Sequence, residues 1–146
     1  MSVCFDAAAP FGDAFAPLGL LTVNALAASH GLLIPVQAEY HALSGLELIR
    51  ETVSIVTENL NPFLGIVGLV LTFFDSRKKL NRDVANALVD QWQDKVFTSR
   101  IRDNVSLAEA PSNGQDIYTY KGASYGAMDY AALAKEFLTK TEGSAQ

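Results

Sequence analysis

No lysine or arginine precedes Arg50 in this 146-residue chain, and the whole sequence holds one cysteine, two histidines and one tryptophan. Each shortage excludes something. An N-terminus without basic residues lacks the charged leader of a secretory signal, so none is expected there despite its apolar character. The lone Cys4 cannot close an internal disulfide, which fits a reducing cytoplasm better than secretion. His30 and His41 belong to no ligand-spaced group of cysteines or carboxylates, and no metal centre is expected from them. From Ala14 to Val36 there is no charged residue at all, a length sufficient for a bilayer at about 20 residues. Asn24, Ser29, His30, Gly31 and Pro35 interrupt that run, so it reads as a buried helix and a buried strand broken at Ser29-His30-Gly31, with no membrane contact.

Acidic residues outnumber basic ones, 16 to 11, and the net charge of −5 excludes a uniformly basic nucleic-acid binder. The basic residues are nevertheless concentrated. Between Ser76 and Arg102 lie Arg77, Lys78, Lys79, Arg82, Lys95, Arg100 and Arg102 against Asp83, Asp90 and Asp94, the one segment suited to an anionic partner. With 49% hydrophobic residues the chain can bury a single globular core. No Ser/His/Asp, Cys/His or paired-carboxylate arrangement stands out as a catalytic set.

Periodicity supplies the architecture. Leu18 to Ala28 reads as a mostly buried helix, and Gly31 to Val36 as a strand covered on both faces. Leu43, Leu46, Ile49, Val53, Val56 and Leu60 recur at helical spacing until Asn61-Pro62 stops them. Ile66 to Phe73 is a second buried strand. Asn81 is expected to cap a helix that carries Val84, Leu88 and Trp92 on one face. Lys95 to Ile101 reads as a third strand, Arg102 to Gln115 as a polar loop containing proline and glycine, and Ala127 to Leu138 as a closing helix. Strands alternating with helices predict an α/β fold, a parallel sheet with helices on both faces and ligands at the C-terminal ends of the strands. The apolar strands predict an exposed edge and self-association.

Five segments resemble, in order and spacing, the motifs of ParA/Soj chromosome-partitioning ATPases, the ParA/MinD-like proteins. They are Leu18 to Leu26 (LGLLTVNAL); Ile34 to Tyr40 (IPVQAEY) with Ala42, Leu43 and Gly45; and Val70-Leu71-Thr72 with Asp75 and Arg77. Asn104-Val105 with Glu109 to Ser112 and Gly114 is the fourth, and Tyr120, Ser124, Gly126, Ala127 and Tyr130 the fifth. The resemblance runs from Leu18 to about Leu138. It implies a partial P-loop NTPase, Rossmann-like sheet corresponding to the C-terminal half of the family, and divides the chain into an altered segment 1–17, a half-domain 18–140 and a polar tail 141–146. It also implies ATP and Mg²⁺ as ligands, non-specific DNA and a ParB-like stimulator as partners, a homodimer, and a cytoplasmic, nucleoid-associated location in chromosome or plasmid partitioning.

Family roles transfer residue by residue. The glycine-rich loop with Gly-Lys-Thr, whose amides and lysine cradle the phosphates, has no counterpart, because the sequence contains no Gly-Lys dipeptide. A truncated or frameshifted chain that hydrolyses no ATP alone and binds ATP and Mg²⁺ weakly is therefore expected; the other reading is a non-catalytic interaction or DNA-binding module that pairs with a ParA-like subunit. Asp13 falls where the catalytic, magnesium-associated carboxylate would stand, or is a loop carboxylate. Thr72, Asp75, Arg102, Asp103 and Asn104 are implied nucleotide contacts, although Arg102 replaces a proline common in the family. Arg77, Lys78, Lys79 and Arg82 match a region of basic DNA contacts or form a solvated face, and Ser106 replaces a common arginine.

Overall fold

Apolar strands alternating with amphipathic helices can bury both elements only by layering, and the chain does so. In the computed structural model, which describes residues 2–4 and 20–143, β1 (Ser2–Cys4), β2 (Gly31–Gln37), β3 (Gly65–Phe74) and β4 (Val96–Arg102) form one sheet in that order. Every pair is parallel. Helices α1 (Leu20–Ala27), α2 (His41–Asn59) and α3 (Lys79–Trp92) make the crossovers. Each crossover steps to the adjacent strand in the same direction, so right-handed connections put all three helices on one face. The main core lies there: Leu26, Ile34, Val36, Leu46, Val56, Leu69, Leu71 and Leu88 form one buried cluster. Each such side chain contributes roughly 1.5–3 kcal/mol by leaving water.

The opposite face is covered by α6 (Tyr125–Gly143), reached through the short helices α4 (Val105–Ser112) and α5 (Ile117–Lys121). Val70, Phe97, Ile101 and Leu133 form this second cluster, and the Phe97 and Phe137 rings stack with centroids 6.4 Å apart. Coverage on this side is uneven. Along β2, Leu32, Ile34 and Val36 are buried while Leu33, Pro35 and Gln37 are only half-buried, so this strand is not sealed on both faces by the described residues. The reason is that α6 packs chiefly on β4, and no described helix lies over the far half of the sheet.

The outer edge of β4 is closed by acidic side chains rather than by a strand. Its register jumps between Leu69↔Val96 and Leu71↔Arg100, a bulge in which the Thr98 and Ser99 amides both donate to Glu136, at 2.8 Å each. Further along, the Arg102 amide donates to Asp129 at 3.0 Å. Both carboxylates come from α6, and they occupy donors that an incoming strand would need.

Two local expectations are corrected. Asn81 does not cap a helix: α3 begins at Lys79, Lys78 holds the extended cap position, and Asn81 is buried in the first turn. The segment from Arg102 to Gln115 is not a loop but contains α4, opened by Asn104, whose Oδ1 accepts the Ser106 amide at 3.0 Å. The polar composition concealed this cap and the buried Ala110 behind it.

Packing between β3 and β4 depends on Gly68. A Cβ there would stand 2.4 Å from the Lys95 carbonyl oxygen and 2.5 Å from the Phe97 ring, and backbone cannot yield as a flexible side chain can. Gly68→Ala is expected to lower stability by about 1–3 kcal/mol, read from urea unfolding midpoints; an unchanged midpoint would show that the strands separate without cost.

Candidate functional site

The C-terminal ends of β3 and β4 open on a cavity of about 560 Å³, where parallel sheets place their ligands. Phe74, Asp75, Ser76 and Arg77 form one wall, from β3 and the loop after it; Thr98, Arg100, Arg102 and Asp103 form the second; Tyr125 of α6 closes the rim. A non-glycine residue with positive φ, Phe73 at 49°, sits at the β3 end of this site. It is the extra residue between the Leu71↔Arg100 and Phe74↔Arg102 pairs, and its side chain is exposed.

One buried side chain fixes the two loops beside the cavity. Asn81 donates from Nδ2 to the Ala38 carbonyl beyond β2 at 2.7 Å, and its Oδ1 accepts the Asp75 amide beyond β3 at 2.8 Å. Asp75 is in turn the anchor of the β3–α3 loop. Its carboxylate accepts the Arg77 amide and Nε at 3.0 Å each, and Arg77 Nη2 at 2.9 Å. Those bonds from Arg77, with the charges of Arg77 and Lys78, hold the Asp75 carboxyl at about 2 against an ordinary 3.8. Arg82 reaches back from α3 and donates from Nη1 to the Ser76 and Arg77 carbonyls, at 2.7 and 3.0 Å.

Arg102 is similarly committed. Its Nη2 meets Asp129 Oδ1 at 2.6 Å and its Nε meets Oδ2 at 2.9 Å, a fork-on-fork pair, while its guanidinium lies 4.2 Å from the Tyr125 ring centroid. Burial raises the Asp129 carboxyl, and the Arg102 bonds outweigh it, leaving a net lowering. Arg100, two residues earlier on the same side of β4, lies 4.4 Å over the Phe74 ring.

The site therefore brings Asp75, Arg77, Arg102 and Asp103 to one cavity and separates the other expected contacts from it. Thr72 lies within β3, half-buried and paired with Gln37; Asn104 is spent as the α4 cap. Lys78, Lys79 and Arg82 are exposed outside the cavity wall. Asp13 lies outside the described residues. Sequence reading named Arg100 only as part of the basic segment and missed Phe74, Tyr125 and Asp129. Asp129 had a signal, a lone carboxylate on the otherwise small and apolar opening turns of α6, buried to 8% exposure. Among the described residues no group of three or more His, Cys, Asp or Glu is placed to hold a metal, and no helix is long and apolar enough to cross a membrane.

The sheet and its cavity define a parallel α/β domain of the P-loop NTPase-like class. A solved cobyrinic acid a,c-diamide synthase from Mycobacterium smegmatis is similar over 77% of this chain and 39% of that one, at 30% identity and a TM-score of 0.59. A second structure of that synthase, with bound ATP analogue and magnesium, is 34% identical over 60% of this chain and 35% of that one, with a TM-score of 0.54. An AAA domain family profile matches residues 12–66.

Among curated proteins, the chromosome-partitioning ATPase Soj of Treponema pallidum is 43% identical over 84% of this chain and 49% of its own length. The sporulation initiation inhibitor protein Soj of Bacillus subtilis is 47% identical over 82% of this chain and 47% of its own. ParA of Myxococcus xanthus is 42% identical over 84% of this chain and 44% of its own. The chain is a homologue of the Soj/ParA chromosome-partitioning ATPases, and spans about half the length of the curated relatives it matches.

Two outcomes test this geometry. Asn81→Ala leaves the Ala38 carbonyl and the Asp75 amide without their partner, and is expected to destabilise the chain by about 2–3 kcal/mol in urea unfolding. Asp75 should remain ionised to about pH 2 in carboxyl NMR titration. Because the folded-state value is the lower one, its stabilising effect is present above the unfolded carboxylate range near 3.9 and fades as pH falls toward about 2. Arg77→Gln should raise Asp75 toward the ordinary range, the amide of residue 77 and the Lys78 charge keeping part of the lowering; an unchanged titration in that variant would refute the assigned cause.

Proposed function

We propose that this chain acts in chromosome or plasmid partitioning as a Soj/ParA-type protein, through contact with DNA rather than through ATP hydrolysis of its own. The observation that carries this reading is how the charges at the strand ends are used. Asp75 is paired with Arg77 and Arg102 with Asp129, so two of the three charged residues expected to meet a nucleotide are already engaged, Asp103 being the third. Lys78 and Lys79, in contrast, are exposed and make no hydrogen bond or ion pair with a described residue, which leaves both ammonium groups for phosphates.

ATP and Mg²⁺ do not fit the residues in hand. Phosphoryl transfer needs amides and a lysine around the β and γ phosphates, the sequence has no Gly-Lys dipeptide, and the described residues form no group of three or more His, Cys, Asp or Glu placed to hold a metal ion. Adenine contact through the Arg102 to Asn104 loop is a weaker, secondary property in this reading. Asp13 keeps only its sequence-level role as a carboxylate of the magnesium-associated type. A ParB-like protein, non-specific DNA and a second copy or ParA-like subunit are the partners, in a cytoplasmic, nucleoid-associated setting.

The purified 146-residue chain is expected to hydrolyse no ATP above background, and to bind two unrelated DNA duplexes weakly and equally. Lys78 and Lys79 account for about −2 of the slope of log affinity against log salt, at about −0.9 per phosphate. Arg77 and Arg82 add less, since their donors already hold the loop. Fluorescence anisotropy across a salt series on the wild type and Lys78→Ala/Lys79→Ala checks this. Turnover of ATP by protein free of contaminants, or equal DNA affinity of the double variant, would overturn it.

A further inference from the structure

Resting on that DNA-binding reading, we propose that Arg100 of β4 is a further phosphate-contacting residue, which extends the surface of Lys78 and Lys79 across the cavity to the sheet edge; its partner is the sugar–phosphate backbone of a nucleic acid. The argument begins with which cations near the cavity are already used. Arg77 is held by Asp75, Arg102 by Asp129, and Arg82 by the carbonyls of Ser76 and Arg77. Arg100 lines the same cavity, yet its guanidinium has no hydrogen bond or ion pair to any described residue. It is half-buried, with its guanidinium carbon 4.4 Å from the centroid of the buried Phe74 ring.

A guanidinium backed by an aromatic ring is held in orientation by one face while its N–H edge stays open, the geometry that favours bidentate contact with a phosphate. Thr98, Arg100 and Arg102 of β4 all reach the cavity. Arg100 also borders the groove along the outer edge of β4, where two carboxylates, Asp94 and Glu136, outnumber Lys140 and disfavour an anion. The anion therefore approaches from the cavity side. There, among the described residues, the only carboxylate not engaged in an ion pair is that of exposed Asp103 at the rim, which opposes an anion and moderates the affinity.

The occupant favoured is a polyanion rather than one small nucleotide. Three uncommitted cations, Arg100, Lys78 and Lys79, are distributed over β4, the β3–α3 loop and the start of α3. Lys78 is close enough to Asp75 in the cavity wall to lower its pKa, so the loop charge and the cavity share one field. A single phosphate would use one of the three cations; a nucleic-acid backbone uses all of them.

The test is anisotropy with a fluorescent DNA duplex across a salt series, with AMP and ATP titrated separately. Variants are Arg100→Ala, Arg100→Lys, Asp103→Asn and Lys78→Ala/Lys79→Ala, each checked for unchanged thermal unfolding. Arg100→Ala should reduce duplex affinity several-fold and lower the salt slope by about 0.9. Arg100→Lys should keep the slope, and Asp103→Asn should bind more tightly than wild type. If the lysine variant loses affinity while Arg100→Ala matches wild type, the Arg100 assignment fails and the DNA reading stands. If wild type binds no duplex, both fail. If Arg100→Ala loses only AMP and ATP binding, Arg100 serves a small nucleotide in the cavity and the proposal is overturned.

Discussion

A single buried amide, that of Asn81, ties the ends of β2 and β3 together, and the geometry of the site depends on it. Its two bonds run in opposite senses, one donated to Ala38 and one accepted from Asp75, so no aliphatic side chain of similar volume can replace it. Asp75 so placed can accept three bonds from Arg77, and the loop so shaped brings the Ser76 and Arg77 carbonyls within reach of Arg82. The exposed positions of Lys78 and Lys79 follow from that chain of contacts. An exposed ion pair such as Arg77 with Asp75 is worth little alone; here it gains from being fixed at its base by a buried hydrogen bond.

A second tether works from the other layer. Helix α6 spends Glu136 on the bulge amides of β4 and Asp129 on Arg102, and in doing so it both closes the sheet edge and orients one wall of the cavity. Burial would raise both carboxyls, but the donated hydrogen bonds lower them further than burial raises them. The pairing of Arg102 with Asp129 also explains how an arginine is accommodated at the end of β4. Its charge is met within the chain, and its guanidinium lies against the Tyr125 ring.

This arrangement separates two kinds of basic residue that look alike in the sequence. Arg77 and Arg82 are structural cations whose donors hold a loop, whereas Lys78 and Lys79 project without a described partner. Planar guanidinium groups are suited to bridging several acceptors at once, while flexible ammonium groups remain hydrated at the surface. The distribution of arginine and lysine along the run is consistent with that division of labour.

The sequence by itself determined the α/β class, the three main strands and the helices α1, α2, α3 and α6, because strands buried between helices must be continuously apolar and their helices must carry a 3.6-residue stripe. It also determined the kinship with Soj/ParA proteins, since motif order and spacing survive in one dimension. The partners of its charges were not legible. Asp129 lies 27 residues from Arg102, Glu136 lies 37 from Ser99 and Asn81 lies 43 from Ala38, and no local pattern marks contacts of that separation. Only tertiary structure decided which cations are used up, because pairing depends on the distances that the crossovers and α6 impose, and Coulomb and hydrogen-bond energies fall away within a few ångströms.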